Sequence, residues 1–76
     1  MNDEKRTTLK RVRKMLEDSI DITQDILDKE QDSMDNMPEN FQSSDGYEKM
    51  EDAVNRLSDA IEKIEEARDY IDDAMA

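Results

Sequence analysis

Large apolar residues recur along this chain in two long patterns of different width. The closing segment, MEDAVNRLSDAIEKIEEARDYIDDAMA, divides into sevens that open on Met50, Leu57, Ile64 and Ile71. With these as position a of a heptad, Ala53, Ala60, Ala67 and Ala74 fill every d, and Val54, Ile61, Arg68 and Met75 fill every e. A repeat of this kind predicts one long α-helix with a narrow apolar seam, and alanine at each d lets another helix approach closely. Earlier in the chain, Leu9, Val12, Met15, Leu16, Ile20, Ile22, Ile26 and Leu27 fall in an arc of about 160° at 100° per residue. They predict a second long helix with a broader face, and Ser19 and Thr23 lie inside its arc.

Punctuation between the two patterns is sparse and local. The single Gly and single Pro both lie between Asp35 and Tyr47, where a connection is expected. Helices are therefore predicted over about residues 3–34 and 46–75, with a linker over about 35–45. Asn2 suits the first N-cap, with Asp3 and Glu4 in the turn where the helix dipole favours negative charge. At the second start, Asp45 and Glu48 have capping-box spacing, and Ser44 is an equally good cap. Pro38 suits the first turn of a short helix in the linker. Met34, Met37 and Phe41 are expected to plug the open end of the structure.

A linker this short makes the helices antiparallel neighbours. The fold class is all-α: an antiparallel two-helix hairpin, one domain over 1–76. Its core is expected from Leu9, Val12, Leu16, Ile20 and Ile26 on the first helix and Leu57, Ile61, Ile64 and Ile71 on the second. The first helix's arc is wider than one neighbour can cover, so a homodimer closing a four-helix bundle is expected.

Composition changes the picture mainly by exclusion. The chain has 76 residues and neither Cys nor His. Disulfides, thiolate or imidazole metal sites and the usual nucleophiles and bases are absent from the inventory, and no cofactor is expected. Carboxylate-bundle metal sites place Glu and His inward, and no calcium-loop pattern is present. Nothing in the pattern would bury a carboxylate and shift its pKa, so an enzyme is not expected. No apolar run is long enough to cross a membrane and no secretory signal is evident; a cytoplasmic protein is expected.

Charge adds the one feature with functional content. Residues 1–14 carry net +4, residues 15–52 net −11 and residues 53–76 net −4. An antiparallel hairpin sets Lys5, Lys10, Arg11, Arg13 and Lys14 beside Glu62, Glu65, Asp69, Asp72 and Asp73, which favours that direction of pairing. Arg68, at an apolar heptad position, is expected to lay its stem along the seam and reach an edge carboxylate. Tyr70 lies off the main stripe and is a candidate contact for a partner. The start of the chain lacks aromatic residues for base stacking, so direct nucleic-acid binding is not expected.

Asp18, Asp21, Asp25, Asp28, Asp32 and Asp35 are spaced three, four, three, four, three. They form a column opposite the apolar arc, with a charge about every 5 Å. Asp52, Asp59, Glu66 and Asp73 repeat the device once per heptad, and Glu48 stands near the linker. Stacking like charges costs helix stability. Two readings follow. One is a solvated face that keeps an apolar bundle soluble. The other is a row of charges placed like backbone phosphates, which would occupy the nucleic-acid groove of a basic protein through Asp18, Asp21, Asp25, Asp28, Asp32, Asp35, Glu48, Asp52 and Asp59.

The segment around Pro38, Glu39, Asn40, Gln42, Ser43, Glu48, Met50, Glu51 and Ala53, followed by the Ala/Ile/Glu heptads, resembles a family of small acidic proteins from Gram-positive bacteria and their phages. That resemblance covers about half of the chain and implies a helical hairpin without an established activity. In size and acidity the chain is also similar to phage host-takeover proteins that mimic DNA, among them an inhibitor of the nucleoid protein HU. This second resemblance implies a basic DNA-binding partner such as HU, in the host cytoplasm.

Overall fold

The computed structural model describes residues 1–76 as two long helices and one short turn of 3₁₀ helix. Helix α1 spans Asp3–Asp35 and helix α2 spans Asp45–Met75, with a single turn at Glu39–Phe41 between them. The body is a rod of 59 × 15 × 13 Å. Its radius of gyration, 17.3 Å, exceeds the roughly 11 Å of a compact domain this long. The antiparallel hairpin and the boundaries agree with the periodicity to within about one residue.

Each helix start is set by a local side chain. Asn2 accepts a hydrogen bond from the Lys5 backbone N–H at 2.8 Å through its Oδ1. At α2 the cap is Ser44, whose Oγ accepts from the Tyr47 N–H at 3.2 Å. Asp45 is therefore the first helical residue and not the cap. Its carboxylate lies with that of Glu48 in the first turn, where the dipole favours both. Pro38 immediately precedes the short turn, and the Phe41 N–H donates to its carbonyl at 2.8 Å.

No backbone hydrogen bond joins α1 to α2: those outside the helices are all local turns and caps. Side chains alone hold the rod together. On α1 the half-buried or better positions are Arg6, Leu9, Leu16, Ile20, Thr23, Leu27, Glu30 and Met34, with Val12, Glu17 and Gln31 at the margins. Most of these steps alternate three and four, which is the spacing of a coiled-coil seam. On α2 the matching row is Met50, Val54, Leu57, Ile61, Ile64, Arg68, Ile71 and Met75.

Burial along this seam is shallow. Only Met34 and Ile61 are buried, at 6% and 7% exposure. A chain near 75 residues rarely draws more than about 3–5 kcal/mol from one core, and two buried side chains place this hairpin low in that range.

The linker departs from expectation at Phe41. Met34 is buried and Met37 half-buried, but Phe41 is 52% exposed. The ring sits at the end of the 3₁₀ turn, so Met34 closes the loop end of the hairpin without it.

Ion pairing across the seam is also sparser than expected. Arg13 Nε meets Asp72 at 2.8 Å, and it is the one ion pair between the helices. Lys14 instead pairs within α1 with Asp18, and Lys5, Lys10 and Arg11 make no ion pair. Asp18 lies one turn from Lys14 on the same helix, so that lysine is satisfied locally. Arg6, not among the expected bridging cations, donates from Nε to the Met75 carbonyl at 3.0 Å. That contact places a cation at the C-terminus of α2, where Asp72 and Asp73 otherwise oppose the dipole. Arg68 behaves as expected: its side chain is 29% exposed and its Nε lies 3.4 Å from Asp69 Oδ1.

Candidate functional site

The three-four alternation of aspartates keeps all six off the seam, along one flank and the outer side of α1. Taking the seam as reference, the column is centred about 130° away at 100° per residue. Asp18, Asp21, Asp25, Asp28, Asp32 and Asp35 are all exposed, as are Glu48, Asp52 and Asp59 on α2. The column spans about 26 Å of uninterrupted helix, so the carboxylates stand in fixed order along a straight support.

Four of the six have a side-chain partner one turn away. Lys14 Nζ donates to Asp18 Oδ1 at 2.8 Å, and Lys29 Nζ lies 3.0 Å from Asp25 Oδ2. Gln24 Nε2 donates to Asp28 at 2.9 Å and Gln31 Nε2 to Asp35 at 3.1 Å. Asp21 and Asp32 have no side-chain partner. The Asp18 carboxylate, through its hydrogen bond first and its charge second, holds the Lys14 ammonium above its ordinary pKa of 10.5.

These partners change how the column reads. The glutamines hold two carboxylates in place without removing charge, while the two lysines offset two of the six. Even unpaired, one charge per about 5 Å is sparser than one phosphate per about 3.4 Å of axis along a single DNA strand. The signal for the pairs was present in the sequence as Lys14–Asp18, Gln24–Asp28, Asp25–Lys29 and Gln31–Asp35, all four apart.

On α2, Asp52 is paired with Arg56 at 3.5 Å, and Glu66 with Lys63 at 3.4 Å. No three carboxylates converge into a cluster able to hold a metal ion. Surface depressions are shallow; one, between Asp45, Glu48, Lys49 and Asp52, is lined by no hydrophobic residue.

The residues expected in the core divide. Ile61 is buried, and Leu9, Val12, Leu16, Ile20, Leu57, Ile64 and Ile71 are half-buried along the seam. Ile26 is 49% exposed, beside Ile22 at 67% and Met15 at 59%. Those three form a second apolar strip about 120° from the seam, on the opposite flank of α1 from the aspartates. Tyr70 is 74% exposed.

No helix is long and apolar enough to cross a membrane. No family model, curated protein or solved structure matches the chain, so the likenesses noted in the sequence gain no support from these comparisons.

Proposed function

We propose that this chain works by binding, and that its acidic face engages a basic nucleic-acid-binding protein in place of nucleic acid. The observation that carries the reading is the exposed aspartate column on one rigid helix, with Asp28 and Asp35 oriented by glutamine amides that leave their charge intact. Within the column, Asp21, Asp28 and Asp35 stand seven apart and face the side of the rod on which Arg13 meets Asp72. That row carries no lysine partner. The nucleoid protein HU, suggested by likeness in size and acidity, is the partner to try first. Mechanistically, the carboxylates would meet lysines and arginines of the partner's groove, and binding would release counterions as duplex DNA does.

The test is displacement of a fluorescent duplex from purified HU, followed by anisotropy at about 50 and 200 mM salt. The expected result is displacement at low salt that weakens at least tenfold at high salt, and its loss in the triple variant Asp21→Asn, Asp28→Asn, Asp35→Asn. Failure of the parent chain to displace DNA at low salt removes HU as the target. Displacement unchanged by the triple variant removes the column as the contact.

A second reading rests on the exposed Met15, Ile22 and Ile26. In it the hairpin is an adaptor that binds through apolar surface, and the acids only solubilise it. The exposed lysine–aspartate pairs suit that alternative. Binding of such a partner would be insensitive to salt, so the same two-salt comparison separates the readings.

A further inference from the structure

The apolar strip of α1 and the alanine row of α2 lie on the same side of the rod. Arg13 and Asp72 meet at 2.8 Å, which marks one flank of the seam. On α1, Arg13 sits about 40° to that flank, whereas Met15 and Ile22 sit about 120–140° to the other. On α2, Asp72 sits about 50° to the marked flank, and the alanines about 50–110° to the other. The unmarked side therefore carries Met15, Ile22 and Ile26, all about half exposed or more. It also carries the heptad alanines, of which Ala60 and Ala74 are exposed.

The two rows are complementary in size and in step. Thr8, Met15, Ile22 and Lys29 stand seven apart on α1, and Ala53, Ala60, Ala67 and Ala74 stand seven apart on α2. The register set by Arg6 opposite Met75 and Arg13 opposite Asp72 puts Ile22 near the level of Ala60 and Met15 near that of Ala67. Within one hairpin these side chains point outward side by side and do not fill one another. A second copy, turned by a two-fold axis along the rod, lays its α1 over the first copy's α2 and its α2 over the first copy's α1. Large side chains then meet alanines at matching levels, twice.

Side-chain size selects this arrangement over its alternative. Lys49, Arg56 and Lys63 border the alanine row on its outer side, seven apart, while Arg11, Lys29 and Asp18 border the α1 strip, with Asp18 already paired to Lys14. Stacking α1 on α1 and α2 on α2 would instead oppose the basic row to itself and pack alanine on alanine. One face of a rod 59 Å by 15 Å has an outline on the order of 900 Å², against about 800 Å² per partner in a standard stable interface. Met34 and Ile61 are the only buried residues of the single hairpin, and a second copy stacked in this way would cover the exposed strip.

We infer that this face binds a second copy of the same chain, with Met15 and Ile22 of each copy seated on Ala67 and Ala60 of the other, closing an antiparallel four-helix bundle. It leaves Asp21, Asp28 and Asp35 on the outside.

Single cysteines test it, because the chain has none of its own. Chains carrying Ile22→Cys and Ala60→Cys are oxidised separately and mixed, and Met15→Cys and Ala67→Cys likewise. Disulfide-linked pairs should form in the mixtures at least tenfold faster than in either variant alone, and a disulfide between two single-cysteine chains is necessarily intermolecular. The parent chain should sediment at twice its 8.9 kDa at high micromolar concentration. A mass of one chain at that concentration overturns the proposal, and so does equal or faster self-linking of Ile22→Cys or Ala60→Cys. Circular dichroism of each variant, matched to the parent, keeps misfolding from counting in either direction.

Discussion

Ile22 and Ile61 are chemically identical and sit near the same level of the rod, yet one is 67% exposed and the other 7%. The difference lies in position around the helix, not in distance along it. Ile61 falls on the alternating row that points at the other helix of its own chain. Ile22 falls about 140° from the matching row of α1, where its own chain offers nothing above it. Hydrophobicity alone would rank the two equal; angular position assigns one to folding the hairpin and leaves the other free for a different task.

The largest expected effect tests that division directly. Ile61→Ala should cost the hairpin about 2–4 kcal/mol, the usual range for a large aliphatic side chain removed from a packed site. Read by urea or thermal unfolding at fixed protein concentration, that loss should consume most of the stability. Ile22→Ala, measured in dilute protein where single chains prevail, should cost less than about 0.5 kcal/mol. Raising the protein concentration should stabilise the parent and not Ile22→Ala. Equal losses at the two isoleucines in dilute protein would erase the comparison.

A smaller effect comes from the two flanks. Asn at Asp21, Asp28 and Asp35 relieves stacked like charge on α1 and should raise the melting temperature, by free-energy increments of about 0.2–0.5 kcal/mol per relieved pair. Added sodium chloride should move the parent the same way, given its net charge of −11. A parent that is destabilised by salt would show that attraction, not repulsion, dominates its surface. Arg13→Ala removes the one ion pair between the helices, whose side chains remain 45% and 36% exposed, and should cost no more than about 1 kcal/mol.

Gly46→Ala should stabilise by about 0.5 kcal/mol. Gly46 lies in the first turn of α2 with no positive φ, and an added Cβ would meet only Ser44 Oγ at 3.8 Å, so the gain is the lost freedom of the unfolded glycine. The smallest effect concerns Lys14. Its raised pKa means that whatever stability the Asp18 contact supplies is complete below pH 10.5 and disappears as pH rises through the higher folded value. Lys14→Gln should therefore match the parent more closely on strongly alkaline titration than at neutral pH. Because the Lys14 side chain is 70% exposed, the gap should be barely resolvable even at neutral pH.

How much of this was legible in the sequence follows from how local each signal is. The heptads from Met50 and the Gly46/Pro38 punctuation located both helices, because periodicity and breakers act within a few residues. The second strip was implicit in the width of the α1 arc, but assigning Ile26 and Ile22 to it required knowing where α2 lies. Phe41 was misplaced for the same reason: a short linker offers several ways to close a hairpin, and composition does not choose between Met34 and Phe41. Arg6 was overlooked because a cation at the start of one helix reads as a cap for nothing until the other helix ends beside it. In the aspartate column, the spacing was visible and the meaning was not, since Lys14 and Lys29 had to be placed before its charge could be counted.

Arg6 reaching the Met75 carbonyl ties the first turn of the molecule to its last. The two chain ends thus meet at one tip of a 59 Å rod, with the connecting turn at the other. A fluorophore or fusion partner added at either terminus would sit at that tip, well clear of the linker around Pro38, and a short tether joining the ends would add a second turn opposite the first. Such a ring-closed chain should keep the helix pairing and resist unravelling from its ends, where a hairpin this thinly packed is most prone to open.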